Sequence, residues 1–308
     1  MRGAFVRTLV ELADEDRRVA LLTGDLGYMA LEPFMERHPD RFFNVGVAEQ
    51  NMVGIATGLA ESGYVPFVYS VVTFATLRPY EFIRNGPLWH RLPVRIVGVG
   101  GGFEYGPQGL SHHGLEDVGV MRVQPGMTVV APADHRQMAT ALRATWDLPG
   151  PVYYRIGKDD KTVVAGLEGR FRLGRAEIVH EGSDVAIVAM GSVASEAVGA
   201  AHALGERGVH ARVLIVASVQ PPPTEDLCAA LAGVPLVLTL EAHYVSGGLG
   251  SLVAEVIAEQ GLHCRLARRG VHEQPDGRIG SQAFLHRRHG LSADAIVAAV
   301  LERLSARA

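Results

Sequence analysis

Short apolar runs alternate along this chain with longer segments of helical periodicity, and this alternation is the strongest constraint on its fold. The runs are almost continuously apolar, which is typical of strands buried on both faces of a parallel sheet. They cover residues 19–23, 65–69, 94–99, 128–131, 152–155, 185–190, 211–216 and 236–240. Helix-like segments between them include residues 51–61, 78–90, 134–147, 195–207 and 249–259. The pattern predicts an α/β protein whose largely parallel sheets are covered by helices.

The length of the chain, 308 residues, indicates two domains rather than one. The strand–helix alternation lapses between residues 157 and 172, where a charged stretch contains several glycines. Such composition is typical of a domain boundary. We therefore predict one α/β domain over residues 1–165 and a second over residues 166–308.

Composition and charge argue against several classes of protein. Lys and Arg number 29 against 33 for Asp and Glu, and a net charge of -4 suggests neither nucleic acid nor a membrane surface as partner. The two cysteines, Cys228 and Cys264, are too few and too far apart for a disulfide framework or a metal cluster. The sequence has no secretory signal and no apolar run long enough to span a membrane. A cytoplasmic protein is the prediction.

Residues 42–60 place one acidic side chain, Glu49, at the start of an apolar helical stripe. A carboxylate in the first turn of a helix can simply complement the helix dipole. However, small residues such as Gly46, Ala48 and Gly54 surround it and leave room for a flat ring to approach the backbone. Both interpretations are open on the residues alone.

The run Gly-Val-Ala-Glu-Gln-Asn, residues 46–51, resembles the signature of the pyrimidine-binding domain of transketolases and deoxyxylulose-phosphate synthases. In that family the glutamate forms a hydrogen bond with a ring nitrogen of the aminopyrimidine of thiamine diphosphate. The resemblance gives this catalytic and cofactor-binding role to Glu49. A partly desolvated carboxyl group can share a proton with such a ring. Residues 69–81 resemble the family's aromatic segment, which implies that Phe74 stacks on the pyrimidine and that Arg78 is a cation near the cofactor. As alternatives, Phe74 would be a core aromatic and Arg78 a subunit-interface cation.

Residues 109–134 carry a second resemblance to transketolases, which places His112 on the catalytic histidine that faces the substrate. A histidine on a glycine-rich loop can donate a hydrogen bond to a developing alkoxide. The resemblance also puts His113 and Gln108 beside the substrate, with Gln108 where transketolases have an aspartate for a substrate hydroxyl. Metal binding by the two adjacent histidines is disfavoured because no third ligand lies at a suitable spacing.

Two further residues gain roles from the resemblance, and two positions depart from it. Asp25 resembles an aspartate near the cofactor's thiazolium, and Arg155 matches an arginine that holds a substrate phosphate or carboxylate. The alternatives are a turn aspartate at a strand end for Asp25 and a salt-bridge partner for Arg155. Gly100 stands where a histidine is expected, and Met29 where a serine contacts phosphate.

The Gly-Asp-Gly motif with its later asparagine, which holds the diphosphate and its metal in this family, does not occur in the sequence. Since the chain starts where the pyrimidine domain should start, we expect a split enzyme. The resemblance then implies thiamine diphosphate as cofactor, with Mg²⁺ held by an N-terminal diphosphate-binding subunit and no metal ligands in this chain. An α2β2 heterotetramer with self-association of this chain is expected.

Three functions follow as hypotheses. The first is the C-terminal subunit of a split transketolase that transfers a two-carbon ketol unit from a ketose to an aldehyde. The second is a 2-oxo-acid-dehydrogenase-like β subunit that delivers a two-carbon unit to a lipoyl or carrier-protein thiol. The third is a regulatory relic, which the retention of Glu49 and His112 disfavours. Residues 121–134 favour the first hypothesis, while the lost sugar contacts keep the second open, and fold alone does not decide.

Overall fold

A computed structural model describes residues 1–305 of the chain. Its strands, in chain order, are β1 (Val19–Thr23), β2 (Phe42–Asn44), β3 (Val65–Val71), β4 (Arg95–Val99), β5 (Thr128–Val130), β6 (Val152–Ile156), β7 (Glu177–His180), β8 (Val185–Met190), β9 (Ala211–Ile215), β10 (Ser218–Gln220), β11 (Leu236–Tyr244) and β12 (Arg265–Val271).

Helices precede, separate and follow the strands. They are α1 (Arg2–Glu15), α2 (Glu32–Arg37), α3 (Glu49–Glu61), α4 (Val72–Thr76), α5 (Tyr80–Ile83), α6 (Asp117–Arg122), α7 (His135–Thr145), α8 (Ala194–Gly205), α9 (Thr224–Leu231), α10 (Leu249–Glu259), α11 (Gln282–Arg288) and α12 (Ala293–Ser305). Each helix in the described residues is too short or too polar to cross a lipid bilayer.

The strands form two sheets, which confirms the predicted α/β architecture. The first has the order β10-β5-β6-β4-β3-β1-β2 and is parallel except for β10, and the second has the order β12-β11-β8-β9-β7 and is parallel except for β7. β1, β4, β6 and β8 are buried along their whole length, because helices cover both faces of a parallel sheet. β10, from the second half of the sequence, pairs with β5 and so adds an edge strand to the first sheet.

The helix predicted over residues 78–90 is interrupted. α5 is a single turn, and Arg84–Leu88 continue it as a wider π turn that contains Pro87. Proline has no backbone N–H to donate and its ring clashes with the preceding turn, so a regular α-helix cannot pass through this position.

α11 packs against the long loop that follows β4 in the first sheet. A Cβ atom on Gly106 of that loop would lie 2.3 Å from the backbone oxygen of Gly280, so the two backbones touch. On α11 the ring of His286 is buried and lies 6.4 Å from the ring of Phe103. Its Nε2 is buried without a hydrogen-bond partner in the described residues, and burial, with a smaller effect of His289, lowers the pKa of His286 to about 4.

This burial predicts a loss of stability in acid. An unfolded histidine has a pKa of about 6.5, so the unfolded chain binds more protons than the folded chain as the pH falls toward about 4. The stability that the neutral His286 ring contributes is fully present above about pH 6.5 and is lost as the pH falls toward about 4. The free energy of unfolding should therefore fall by about 2 kcal/mol between about pH 7.5 and pH 5. Urea unfolding of His286→Leu should show a smaller pH dependence by that amount. The exposed control His263→Leu should behave like the unsubstituted chain, and an unchanged slope in His286→Leu would contradict the prediction.

Candidate functional site

The carboxyl ends of the neighbouring parallel strands β1 and β3 meet at one edge of the first sheet, and Glu49 lies beside them. It is the first residue of α3 and is only 2% exposed, with the apolar side chains of Met52, Val53 and Ala56 following it into the core. Edges of this kind, where helices begin, are the usual ligand-binding regions of α/β sheets.

The Glu49 carboxylate accepts hydrogen bonds from two residues. Nη1 of Arg78 lies 3.0 Å from both Oε1 and Oε2, and the hydroxyl of Ser70, on β3, donates to Oε1 at 3.5 Å. A buried carboxylate needs such partners because isolated charges are costly to desolvate. The Arg78 side chain is 44% exposed, so the pair is buried on the side of the acid and open to solvent on the side of the base.

Phe74 and His112 join this pair in one cluster. The Arg78 guanidinium carbon lies 3.9 Å from the centre of the Phe74 ring, a cation–π contact. The other ring contact of Phe74 is with His112, whose ring centre is 5.0 Å away in an edge-on arrangement. The structure therefore brings together four of the residues singled out from the sequence, although they come from three separate segments of the chain.

His112 is held by its neighbours on the loop. Its Nδ1 is 2.9 Å from the hydroxyl of Ser111, and the backbone oxygen of Ser111 accepts a hydrogen bond of 2.9 Å from Thr73. Burial, and then the positive charge of Arg78 and the neighbouring His113, lower the pKa of His112. The imidazole is therefore neutral near pH 7 and offers one donor and one acceptor.

Two predicted residues lie at the surface of this region. Asp25 has a left-handed backbone with φ 57°, and its Oδ1 accepts hydrogen bonds from Asn44 at 3.0 Å and from Tyr28 at 3.3 Å. These contacts lock the turns that follow β1 and β2, which agrees with the turn interpretation of Asp25. Gln108 is exposed and ends a 3₁₀ turn, Gly106–Gln108, on the loop before His112.

The remaining two predicted residues lie in the interior. His113 is 2% exposed, stands edge-on to Phe103 at 5.2 Å, and its Nε2 lies 3.3 Å from the backbone oxygen of Gly106. Arg155 is 4% exposed and forms a salt bridge with Asp117 at 2.8 Å. A guanidinium engaged in this way is not available as a bidentate clamp, so the geometry favours the salt-bridge alternative for Arg155, and it places His113 behind the site rather than in it.

Sequence reasoning missed Tyr105 and Lys158. The Tyr105 ring occupies the space beside Gly100, since a Cβ atom there would lie 2.2 Å from the ring. The Tyr105 ring is 5.8 Å from the ring of His112, and the ammonium of Lys158 lies 4.1 Å from the centre of the Tyr105 ring. The signal was the glycine at position 100, because a missing side chain leaves a space that a neighbour must fill.

Glu49 and Phe74 fit a planar group that donates hydrogen bonds. The flat guanidinium of Arg78 already has this arrangement, because it donates hydrogen bonds to the Glu49 carboxylate and lies over the face of the Phe74 ring. An aminopyrimidine offers the same combination of a flat face and polar edge. For a metal, by contrast, residues 1–305 provide no group of three or more His, Cys, Asp or Glu side chains in a suitable arrangement.

Comparison with known proteins agrees with this geometry. Residues 1–161 match the family model for the transketolase pyrimidine-binding domain, and residues 174–296 match that for the transketolase C-terminal domain. One of the subunits of an apulose-4-phosphate transketolase from Phocaeicola vulgatus is 34% identical and aligns with 98% of this chain and 96% of its own length. A subunit of a 6-deoxy-6-sulfo-D-fructose transketolase from Clostridium sp. is 36% identical, over 98% of this chain and 94% of its own.

Solved structures give the same result. A split-gene transketolase, described as an inactive β4 tetramer, superposes with a TM-score of 0.89 and 37% identity over 99% of this chain and 98% of its own. The transketolase of Leishmania mexicana has a TM-score of 0.79 at 21% identity, and this chain covers 45% of it, a likeness of fold alone. The chain thus belongs to the transketolase family, with a pyrimidine-binding domain followed by a transketolase C-terminal domain.

Proposed function

We propose that this chain is the C-terminal subunit of a split transketolase, which transfers a two-carbon ketol unit from a ketose donor to an aldehyde acceptor with thiamine diphosphate. The observation that carries the proposal is the buried carboxylate of Glu49, which Arg78 connects to the face of Phe74, with His112 5.0 Å from the same ring. The two relatives from Phocaeicola vulgatus and Clostridium sp. are transketolase subunits, which supports ketol transfer over delivery to a lipoyl or carrier-protein thiol.

Each residue of the cluster has a distinct role in this proposal. Glu49 binds the ring nitrogen of the pyrimidine and exchanges a proton with it, while Phe74 orients the ring. His112, neutral near pH 7, binds the hydroxyl or carbonyl oxygen of the substrate and moves a proton there. When bound, the thiamine diphosphate supplies a nucleophilic carbon that carries the two-carbon unit.

A second subunit is needed for the diphosphate end of the cofactor. Glu49, Phe74 and His112 provide contacts for a ring and a substrate, whereas Mg²⁺ and the diphosphate require oxygen ligands that we assign to an N-terminal subunit. The subunit names of the relatives and the tetrameric state of the split-gene structure support an assembly of several chains, for which we propose α2β2. The cytoplasmic location stays a prediction.

The substrate is proposed to be a ketose with an anionic end group. The relatives are named for a phosphorylated sugar and a sulfonated sugar. In this chain the ammonium of Lys158 lies 4.1 Å from the centre of the Tyr105 ring, and that ring is 5.8 Å from the ring of His112. We therefore transfer to Lys158 the anion-binding role that the sequence predicted for Arg155.

The need for a partner subunit can be tested by cofactor binding. The purified chain alone should bind thiamine diphosphate weakly, because much of the affinity comes from the diphosphate and Mg²⁺, whose ligands we place in the other subunit. Adding the N-terminal subunit should produce tight binding that requires Mg²⁺. Calorimetry measures both, and strong Mg²⁺-dependent binding by this chain alone would refute the proposal.

Replacing Glu49 by Gln should leave the assembly intact and slow activity by about 10²–10⁴-fold, because an amide cannot exchange the proton. The direct measurement is exchange of the cofactor's C2 proton, followed by NMR. Glu61→Gln, at the other end of α3, is the matched control and should exchange at the normal rate. Undiminished exchange in Glu49→Gln would mean that another group activates the cofactor.

Substrate preference depends on Lys158 in this proposal. Since Gln108, Gly100 and Met29 replace groups that would bind hydroxyls and phosphate, xylulose 5-phosphate should be favoured over the unphosphorylated ketose only modestly, by about tenfold to a hundredfold in kcat/KM. Lys158→Gln should remove the preference, whereas Lys161→Gln, on the adjacent exposed turn, should keep it. A preference of several orders of magnitude, or one unaffected by Lys158→Gln, would show that other residues recognise the anion.

A further inference from the structure

A cavity lies in the C-terminal domain, away from the cluster around Glu49. It is open to solvent and has a volume of about 590 Å³. Its walls are the end of β12, the residues 272–276 that follow it, and the end of α11. The cavity therefore lies at the carboxyl end of a parallel strand, at the edge of the second sheet.

Arg269, on β12, is the residue that most needs a ligand here. Its Nε is buried and has no hydrogen-bond partner in the described residues, and no carboxylate among residues 1–305 lies within 4 Å of its guanidinium. A buried N–H group of a charged side chain is costly to leave unsatisfied. Burial is the main cause that lowers the pKa of Arg269, and the nearby charge of Arg303 adds to it while Glu302 acts in the opposite direction.

The opposite wall adds more positive charge. Arg287 and Arg288 stand at the end of α11, and Arg287 is exposed with no carboxylate within 4 Å among residues 1–305. Cations at a helix C-terminus complement the helix dipole, which is enough to explain the residues on α11. It does not explain Arg269, which belongs to a different element and faces the same cavity.

The acidic residues of the cavity do not neutralise this charge. Asp276 is already paired, with Arg288 and, at 3.4 Å, with Arg278. Glu273 is the other carboxylate in the lining. Three arginines, Arg269, Arg287 and Arg288, thus face one paired and one further carboxylate.

We propose that this cavity binds a phosphate group, either free or on a small organic molecule. Planar guanidinium groups bind phosphate through paired hydrogen bonds, and Arg269 and Arg287 would approach it from two walls. The volume exceeds that of phosphate alone and leaves room for a small ester. This proposal does not depend on ketol transfer.

The site would also lie close to the loop that carries His112. The ring of His289 stacks on Phe103 with centres 4.9 Å apart and planes at 13°, and Phe103 contacts His113 edge-on. A ligand that contacts His289 is therefore separated from the His112 loop by a short series of aromatic contacts.

The test is calorimetry on the full chain with sodium phosphate and with glycerol 3-phosphate, at constant ionic strength. We expect a dissociation constant of about 1 mM or tighter for at least one of them. Arg269→Gln and Arg287→Gln should each weaken binding about tenfold, as expected for the loss of a charged hydrogen bond. Arg269→Lys should keep part of the affinity. Equal affinities for the two probes would identify free phosphate as sufficient, and a tighter ester would show that the organic part is also bound.

Lys158→Gln tests for phosphate binding near the Glu49 cluster, and the exposed Lys161→Gln is the control that should bind both probes normally. A loss of binding in Lys158→Gln with none in the arginine variants would place the anion at that cluster and overturn the proposal. So would the absence of binding to both probes. If Arg269→Gln fails to fold, the exposed Arg287→Gln still decides. In addition, the Nε–H resonance of Arg269 should shift on phosphate addition to the unsubstituted chain, and a resonance that stays fixed would refute the site.

Discussion

The guanidinium of Arg155 binds parts of both domains at once, and the position of the loop that carries His112 and Gly114 depends on it. Nε donates to Asp117 at 2.8 Å, and Nη2 donates to the backbone oxygens of Gly114 and, across the domain contact, Ala242, both at 2.8 Å. Tyr153 completes the set by donating to the same oxygen of Asp117 at 2.7 Å. Removing one partner of such a buried pair typically costs about 3–5 kcal/mol. This arginine therefore serves the architecture, because its Nε and Nη2 are directed at protein oxygens.

The loop held by Arg155 is also fixed by close packing. Gly114 pairs with Gly102 in an isolated antiparallel bridge, and a Cβ atom on Gly114 would lie 2.2 Å from Val72. Gly102 has φ 67° and lies against the backbone of Ala242, so a side chain there would meet both strain and a clash. The C-terminal domain, which contributes no residue to the Glu49 cluster, thus supports this loop from behind.

The sequence predicted the buried strands and the position of Glu49 at a helix start. It did not predict edge strands or side-chain environments that depend on residues far apart in the chain. Central strands such as β8 are continuous apolar runs, whereas β12, at a sheet edge, carries Arg265, Arg268 and Arg269 and has no apolar signature. Glu49 could be placed because a helix start is a local feature. The environment of Arg155 could not, since Asp117 lies 38 residues away and Ala242 lies 87.

The pairing of Glu49 with Arg78 bears on how the site accepts a ligand. The carboxylate is buried, so it requires a donor at all times, and the arginine that supplies it is half exposed on a flexible side chain. The same guanidinium covers the face of Phe74. A flat ring with polar edges could replace the Arg78 guanidinium at this position. The ring would then donate the hydrogen bond to Glu49 and stack on Phe74, while Arg78 moved into water. Because each interaction is replaced rather than lost, the carboxylate need not be left without a partner before the ring binds. The arginine therefore keeps a costly buried acid satisfied, and its exposure allows it to leave.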